Sequence, residues 1–270
     1  MMKQTTAPKL QALRIFFEFL RRDFYVYFKR INTYAINFII LYPLTYIISF
    51  AYIQAKAYFG AENVTQATIF FAGNVILLIM SLAFECTILL LFDLENERTI
   101  DYRITLINPR LILFEQILFT TLFSFLLLAP FFPLTTFILR TQFDSAHTSW
   151  PLLFIMLFLT CLCCAAYHMF IACALKSSKQ IVHFWMRCNL PLITFGGFLT
   201  PWYIMNQYSS IIGKMSLLNP FLYATEGIRQ AIVGGTMFFS IACCTLVLII
   251  FSCIFSFLAC HLFKKKVDHI

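Results

Sequence analysis

The sequence predicts an all-α polytopic membrane protein with six transmembrane helices. Of its 270 residues, 61% are hydrophobic and 12% are charged, whereas a soluble domain carries about 25% charged residues. Six apolar blocks are long enough to span a bilayer, which takes about 20 residues. They are residues 31–53, 67–92, 111–139, 150–175, 181–205 and 236–263.

A basic and aromatic segment precedes the first block. Within Leu10–Arg30, apolar residues recur at helical spacing while most basic residues occupy other positions. The apolar set is Leu13, Phe16, Phe17, Leu20, Phe24 and Phe28. This pattern is typical of an amphipathic helix in the membrane interface. The alternative is a positively charged flank that only sets orientation.

The basic residues predict the orientation of the spans. Only four of the 20 Lys and Arg residues fall on one side of the predicted spans. These four are Lys56, Arg140, Lys214 and Arg229. Because cytoplasmic segments are enriched in Lys and Arg, both termini are predicted to be cytoplasmic. The net charge of +8 is spread over short connections, so we expect the lipid bilayer, and not a nucleic acid, as a partner.

Two of the blocks contain irregular positions. Pro130 and Pro133 predict a kink or an early exit in the third block. The spanning part of the fifth block should end near Phe198, and residues 199–207 should then turn back at the outer surface. The next stretch, Ser216–Gly235, is too short and too polar to cross the bilayer, so we expect it to lie at an interface or to dip partly in.

The Ser216–Gly235 stretch carries a helix signal. The pair Asn219-Pro220 breaks any helix that enters it, because proline lacks an N–H group. A short helical pattern follows, in which Glu226 and Arg229 are three residues apart and can face each other.

The longest internal cytoplasmic connection is Asp93–Arg110, which has many charges of both signs. Residues 99–106 can form a short helix that Asn108-Pro109 would stop. From the residues alone, a solvated charged loop is an equal alternative.

No pattern for catalysis, metal binding or nucleotide binding is present. The eight glycines do not form a phosphate loop, so a different polypeptide must bind ATP if ATP drives this protein. No nucleophile motif occurs. The neighbouring Cys161, Cys163 and Cys164 are expected to be packing residues and not metal ligands.

Two carboxylates, Glu85 and Glu115, fall inside predicted spans. Ionisable groups there are costly and often functional, which would suggest a proton relay or a substrate contact. Alternatively, each is a buried acid that holds helices together, either protonated or paired with a neighbour such as Arg110.

Three segments resemble the ABC-2-type permeases, the membrane subunits of many bacterial ABC exporters. NPFLYATEGIR, from Asn219, is similar to the family's NP-x-x-Y-x-x-E-x-x-R stretch before the last span. ERTIDYRITLINP, from Glu97, is similar to the coupling-helix stretch, although the usual glycine before the threonine is missing. GGFLTPW, from Gly196, resembles the end of the fifth span and the start of the family's re-entrant piece.

The resemblance implies two sets of site residues. The set expected to couple to an ATPase is Glu97, Arg98, Thr99, Tyr102 and Pro109. The set expected to form an external gate is Gly196, Gly197, Pro201, Asn219, Pro220, Tyr223, Glu226 and Arg229.

It also implies a single transmembrane domain over residues 1–270 that acts as the permease of an ATP-driven exporter in the bacterial inner membrane. The substrate would be a drug, a lipid or a lipid-linked polysaccharide. A partner ATPase would bind ATP and Mg²⁺, and a second or similar permease would complete the assembly. The alternative is an ion-coupled secondary transporter that uses Glu85 and Glu115, although no inverted repeat supports it.

Overall fold

A computed structural model describes residues 9–29, 31–46, 48, 64–95, 97–139, 148–175, 177–235 and 237–267. Every secondary-structure element in these ranges is a helix. The predicted all-α class is therefore confirmed.

The α-helices are numbered here in chain order. They are α1 (Lys9–Phe28), α2 (Ile31–Tyr34), α3 (Tyr42–Tyr46), α4 (Val64–Glu95), α5 (Glu97–Leu106), α6 (Pro109–Leu128), α7 (Phe131–Leu139), α8 (Trp150–Ala174), α9 (Ile181–Phe184), α10 (Leu190–Phe195), α11 (Trp202–Tyr208), α12 (Ser210–Ser216), α13 (Pro220–Val233) and α14 (Ile241–Val267). A π-helix over Ala35–Leu41 joins α2 to α3, and another over Trp185–Asn189 joins α9 to α10.

Four stretches of the described helices are long and apolar enough to cross a membrane. They are Phe71–Phe92, Pro109–Phe137, Trp150–Ala174 and Ile241–Lys266, and they match the second, third, fourth and sixth predicted spans. Of the first predicted span, residues 47 and 49–53 lie outside the described residues. A count of six spans stays a prediction.

The fifth and sixth predicted spans have different bounds from those expected. The helical part of the fifth ends with α10 at Phe195, three residues before the expected position. The sixth begins at Ile241, not at residue 236. Gly234 and Gly235 both have positive φ and end α13, which delays the start of α14. In the third span, the break between α6 and α7 falls at the predicted Pro130.

Helix α8 is the centre of the bundle. It packs against α4, α6, α13 and α14, and its consecutive residues from Cys163 to Met169 are all buried. A helix that is covered on every side is a core helix. Its cysteines Cys161, Cys163 and Cys164 are free, buried packing residues.

The bundle has two ends, and each holds a site described below. The guanidinium of Arg229 in α13 contacts the carbonyl of Ile69 near the start of α4, whereas α5 begins at Glu97, two residues after the end of α4. Because α4 has 32 residues, it is about 48 Å long. We refer to the two ends as the α13 end and the α5 end.

Helix α1 packs at the α5 end through residues that the sequence pattern does not specify. Its buried residues are Phe19, Asp23 and Tyr27, which are spaced four apart. The predicted apolar residues Leu13 and Phe17 are 55% and 58% exposed. An interfacial helix borders both protein and lipid, so its apolar surface is wider than its contact with the protein.

Candidate functional sites at the two ends of the bundle

Helix α5 has one exposed face and one buried face. It begins at Glu97, two residues before the predicted start at Thr99, and ends at Leu106. Tyr102 is 61% exposed, whereas the next residue, Arg103, is 1% exposed. The helix therefore presents one side outward and is held to the bundle by the other.

The predicted stop after α5 also begins the next helix. Pro109 is the first residue of α6, and the Asn108 side chain accepts a hydrogen bond of 3.0 Å from the Arg110 amide. Asparagine at the N-cap with proline at the first helical position is a favoured start. Of the predicted coupling residues, Glu97, Arg98 and Thr99 form the first turn of α5.

Arg103 holds α5 against α1. Its Nη2 atom lies 3.2 Å from both carboxylate oxygens of Asp23, and its guanidinium lies 5.5 Å from the centre of the Phe19 ring. Asp23 also accepts a hydrogen bond of 2.6 Å from the neighbouring Arg22. Burial raises the pKa of Asp23 above its ordinary value of 3.8, while the positive charge of Arg22 opposes this change.

Gln116 connects this ion pair to α6. Its Nε2 atom donates to Asp23 Oδ2 and, over 2.9 Å, to Glu115 Oε2. We call Asp23, Arg103, Glu115 and Gln116 the Asp23 cluster. Removal of one partner from a buried ion pair leaves an uncompensated charge, which is strongly destabilising. The cluster is therefore a joint between α1, α5 and α6.

The Asp23 cluster was not predicted from the sequence, apart from Glu115. Asp23 and Arg103 are 80 residues apart, and nothing in either segment identifies the partner. One weak signal exists, because Arg103 and Ile107 are four residues apart and are both buried. An arginine at the spacing of an apolar residue can mark the inner face of a short helix.

The two intramembrane carboxylates lie in different surroundings. Glu85 is on an exposed face of α4, whereas Glu115 is 1% exposed and contacts Gln116. Arg110, suggested as a neighbour of Glu115, is instead exposed and lines a groove. The structure thus places Glu115 in a contact between helices.

At the other end, α13 begins at the predicted break. The Asn219 side-chain oxygen accepts a hydrogen bond of 3.0 Å from the Phe221 amide, and its Nδ2 atom donates over 2.6 Å to the Leu192 carbonyl. Pro220 is the first residue of the helix. Asn219 therefore both caps α13 and ties it to α10.

Glu226 and Arg229 face each other in α13, at an N–O distance of 2.9 Å, with exposures of 1% and 0%. Arg229 Nε donates over 3.2 Å to the Ile69 carbonyl, and Nη2 donates to the Gly197 carbonyl. Burial lowers the pKa of Arg229 below its ordinary value, and the Glu226 carboxylate opposes this change. Each guanidinium nitrogen has an acceptor, so the buried charge is fully compensated.

The glycine pair belongs to the same arrangement. Gly197 has φ +82°, and a Cβ atom there would lie 2.8 Å from Thr225 Oγ1. Thr225 itself donates a hydrogen bond of 2.6 Å to the Gly196 carbonyl. We call Gly197, Glu226 and Arg229 the Arg229 cluster. The close approach of the turn to α13 requires a residue without a side chain at position 197.

A short helical hairpin connects this turn to α13. Pro201 is buried and precedes α11, and Glu226 accepts a hydrogen bond of 3.1 Å from the Trp202 amide. The Trp202 ring nitrogen donates over 3.0 Å to the Gly213 carbonyl in α12, and Tyr223 donates over 3.1 Å to the Leu217 carbonyl. The predicted external residues are thus held in one connected region.

One close approach at this end was missed by sequence reasoning. A Cβ atom on Gly73 in α4 would lie 1.8 Å from the Phe198 carbonyl oxygen, so only glycine fits where α4 crosses the turn. Among the described residues, no group of three or more His, Cys, Asp and Glu side chains is placed to hold a metal ion.

A comparison with protein-family models identifies the chain. The model of the ABC-2 type transporter matches residues 14–233, a range that includes both clusters. No curated protein and no solved structure matches the chain. The family match covers most of the chain, and we conclude that this protein belongs to the ABC-2 type transporter family.

Proposed function

We propose that the chain is the permease subunit of an ATP-driven exporter in the bacterial inner membrane. Permeases of this family are membrane transport subunits and generally act with a separate ATPase. The partner would bind ATP and Mg²⁺, and this chain would bind neither. The substrate would be amphiphilic, such as a drug, a lipid or a lipid-linked polysaccharide.

The two faces of α5 carry this proposal. An exposed Tyr102 is available to an ATPase, while the adjacent Arg103 is buried and joined to Asp23. Motion of a partner bound at the exposed face would reach α1 and α6 through the Asp23 cluster. Charged residues at the start of the helix, Glu97 and Arg98, would set the specificity and register of the contact.

A second permease copy, or a similar permease, would complete the transport path. Most of α4 is buried, but Glu85 is exposed and Ser81 is half-buried on the same face. A partly polar face on an otherwise buried membrane helix is suited to line a path between two subunits.

The Arg229 cluster and its hairpin would form the external gate of that path. Non-helical backbone at membrane depth is tolerated where protein buries it or where it lines a cavity. The hydrogen bonds to the carbonyls of Gly197 and Gly196 satisfy such backbone here. The ion-coupled alternative with Glu85 and Glu115 is less favoured, because the family is ATP-driven and the two carboxylates lie in different surroundings.

The proposal predicts that Tyr102→Ala weakens capture of the partner ATPase, because an exposed aromatic side chain at an interface is often a binding hot spot. Tyr208→Ala is the matched control, since Tyr208 is 87% exposed and lies at the α13 end. The measurement is co-purification of the partner phosphate-loop ATPase with the chain. We expect at least a tenfold loss for Tyr102→Ala and none for Tyr208→Ala. Unchanged capture by Tyr102→Ala would contradict the assigned face.

A further inference from the structure

A deep groove lies at the α5 end, on the outer surface of the bundle. Its volume is about 1140 Å³. Its walls come from α1, α6, α8 and α14. The lining residues on which the argument depends are Phe16, Arg110, Phe114, Ser256, Phe257 and the pair Lys264–Lys265.

The groove has a basic end and an apolar floor. Arg110 begins α6, and Lys264 and Lys265 are near the end of α14, so the positive charges meet at one end of the groove. All three side chains are exposed. No Asp or Glu of the described residues lines the groove, and most of its other residues are apolar. The charges therefore have no acidic partner among the described residues of the groove walls.

Lys266, the next residue, has a different role from Lys264 and Lys265. Lys266 Nζ donates to the carbonyls of Leu175, over 2.6 Å, and Ala172, over 3.2 Å. Lys266 therefore binds the end of α8, whereas Lys264 and Lys265 are directed into the groove.

The length of the groove matches one leaflet of a bilayer. Its lining on α14 runs from Ser252 to Lys265, and on α6 from Arg110 to Leu118, which correspond to about 20 Å and 12 Å of helix. One leaflet contributes about 15 Å of hydrocarbon. A lipid whose headgroup contacts the basic end would thus lay an acyl chain along the apolar floor.

From this charge and shape we propose that the groove binds an anionic phospholipid of the leaflet that faces the α5 end. Basic pockets between transmembrane helices are suited to anionic headgroups. The phosphate would contact Arg110, Lys264 and Lys265, and one acyl chain would pack against Phe114 and Phe257. Because Phe16 of α1 is part of the wall, a bound lipid would also hold α1 in place. The proposal does not depend on the direction or the substrate of transport.

Native mass spectrometry of the purified full chain in detergent tests the proposal. The probes are phosphatidylglycerol and phosphatidylethanolamine with identical acyl chains, and the measurement is the apparent Kd of the first bound lipid. We expect the chain to bind phosphatidylglycerol at least tenfold more tightly. Lys264→Gln with Lys265→Gln should abolish this preference. Arg21→Gln with Lys179→Gln is the matched control, because it removes two exposed charges outside the groove.

A second variant tests the apolar floor. Ser256→Trp keeps every charge but fills the groove, so it should weaken phosphatidylglycerol binding at least tenfold. The proposal is overturned if the two lipids bind equally, if the control variant loses as much affinity as the lysine variant, or if Ser256→Trp binds normally. Displacement of the lipid by soluble glycerol phosphate would identify a phosphate site instead. Conversion of a dimer to a monomer by Ser256→Trp would identify an interface between copies.

Discussion

The Arg229 cluster and the Asp23 cluster both bury charge, but they are built differently. Glu226 and Arg229 belong to one helix, and their contacts include the backbone carbonyls of Ile69 and Gly197. In the other cluster, the hydrogen bonds among Asp23, Arg103, Glu115 and Gln116 join side chains of α1, α5 and α6. One buried atom there, Glu115 Oε1, has no hydrogen-bond partner among the described residues.

The difference suggests different mechanical roles. Displacement of Arg229 would break its ion pair with Glu226 together with its hydrogen bonds to the carbonyls of Ile69 and Gly197, so one arrangement is strongly preferred. Side-chain contacts between three separate helices can rearrange when one helix moves. We therefore regard the Arg229 cluster as the rigid element and the Asp23 cluster as the joint.

The largest expected effect is that of Arg229→Met. It leaves Glu226 buried without its partner and removes the donors to Gly197 and Ile69, which should destabilise the fold by roughly 3–5 kcal/mol. Lys214→Met is the control, because Lys214 is exposed at the same end. Thermal unfolding in detergent measures the difference. Equal melting temperatures for the two variants would show that the Arg229 cluster does not stabilise the fold.

Arg229→Lys tests whether the charge of Arg229 or its set of hydrogen-bond donors stabilises the fold. Lysine keeps the positive charge but cannot reproduce the planar set of donors of a guanidinium. Its stability should lie between those of the parent chain and Arg229→Met. Exchange of Glu226 and Arg229 should not restore stability, because a carboxylate would then face two carbonyl oxygens.

The contact between Glu226 and Arg229 could be predicted from the sequence, whereas the contacts of the Asp23 cluster could not. Glu226 and Arg229 are three apart in a short helix, where local spacing determines which residues meet. Asp23 meets Arg103 only because α1 folds back against α5. No pattern in either segment specifies that contact, because a single sequence carries no local signal for a contact between residues 80 apart.

The apolar periodicity of α1 predicts an interfacial helix, but it does not specify which residues of that helix contact the protein. Periodicity predicted Leu13 and Phe17 on the apolar side of the helix, and both are exposed to the surroundings of the bundle. A sequence pattern cannot distinguish an apolar face that contacts lipid from one that contacts protein. The pattern also gives no reason to place Asp23 on the inner face, because a buried carboxylate is costly without a partner.

A smaller effect is expected at the start of α5. Replacement of both Glu97 and Arg98 by alanine should leave membrane insertion intact, because neither residue lies in a span. Capture of the ATPase should fall about tenfold, since charged contacts contribute to register and specificity. The control is Arg14→Ala with Glu18→Ala, which removes one exposed charge of each sign from α1. Parental capture and parental transport by the Glu97 and Arg98 variant would exclude this segment as the coupling element.

The smallest expected effect is that of replacing a glycine. A comparison of Gly235→Ala with Gly197→Ala distinguishes the cost of backbone strain from the cost of a clash with the Arg229 cluster. Gly197 and Gly235 have similar positive φ values, +82° and +83°, but a Cβ atom on Gly235 would meet no described atom within 4 Å. Gly235→Ala should cost about 1–2 kcal/mol, the cost of this backbone region for a residue with a side chain. Gly197→Ala should cost more, because Thr225 and Arg229 must also shift. Equal losses in thermal unfolding would show that the turn does not depend on its contact with α13.

We propose that ATP binding by the partner ATPase is transmitted from α5, through the Asp23 cluster, to the Arg229 cluster. Trp202 adjoins the latter, because its amide donates to Glu226. With Trp150→Phe and Trp185→Phe, Trp202 becomes the only tryptophan of the chain. The most direct measurement is the change in its fluorescence when ATP is added to the reconstituted complex with the ATPase. We expect the Trp202 fluorescence to change in the chain whose only tryptophan is Trp202, and not to change when Arg103→Met is added to that chain. The Arg103→Met chain should still capture the ATPase, because Arg103 is buried. A full fluorescence change in the Arg103→Met complex, or no change in the complex that keeps Arg103, would contradict this route.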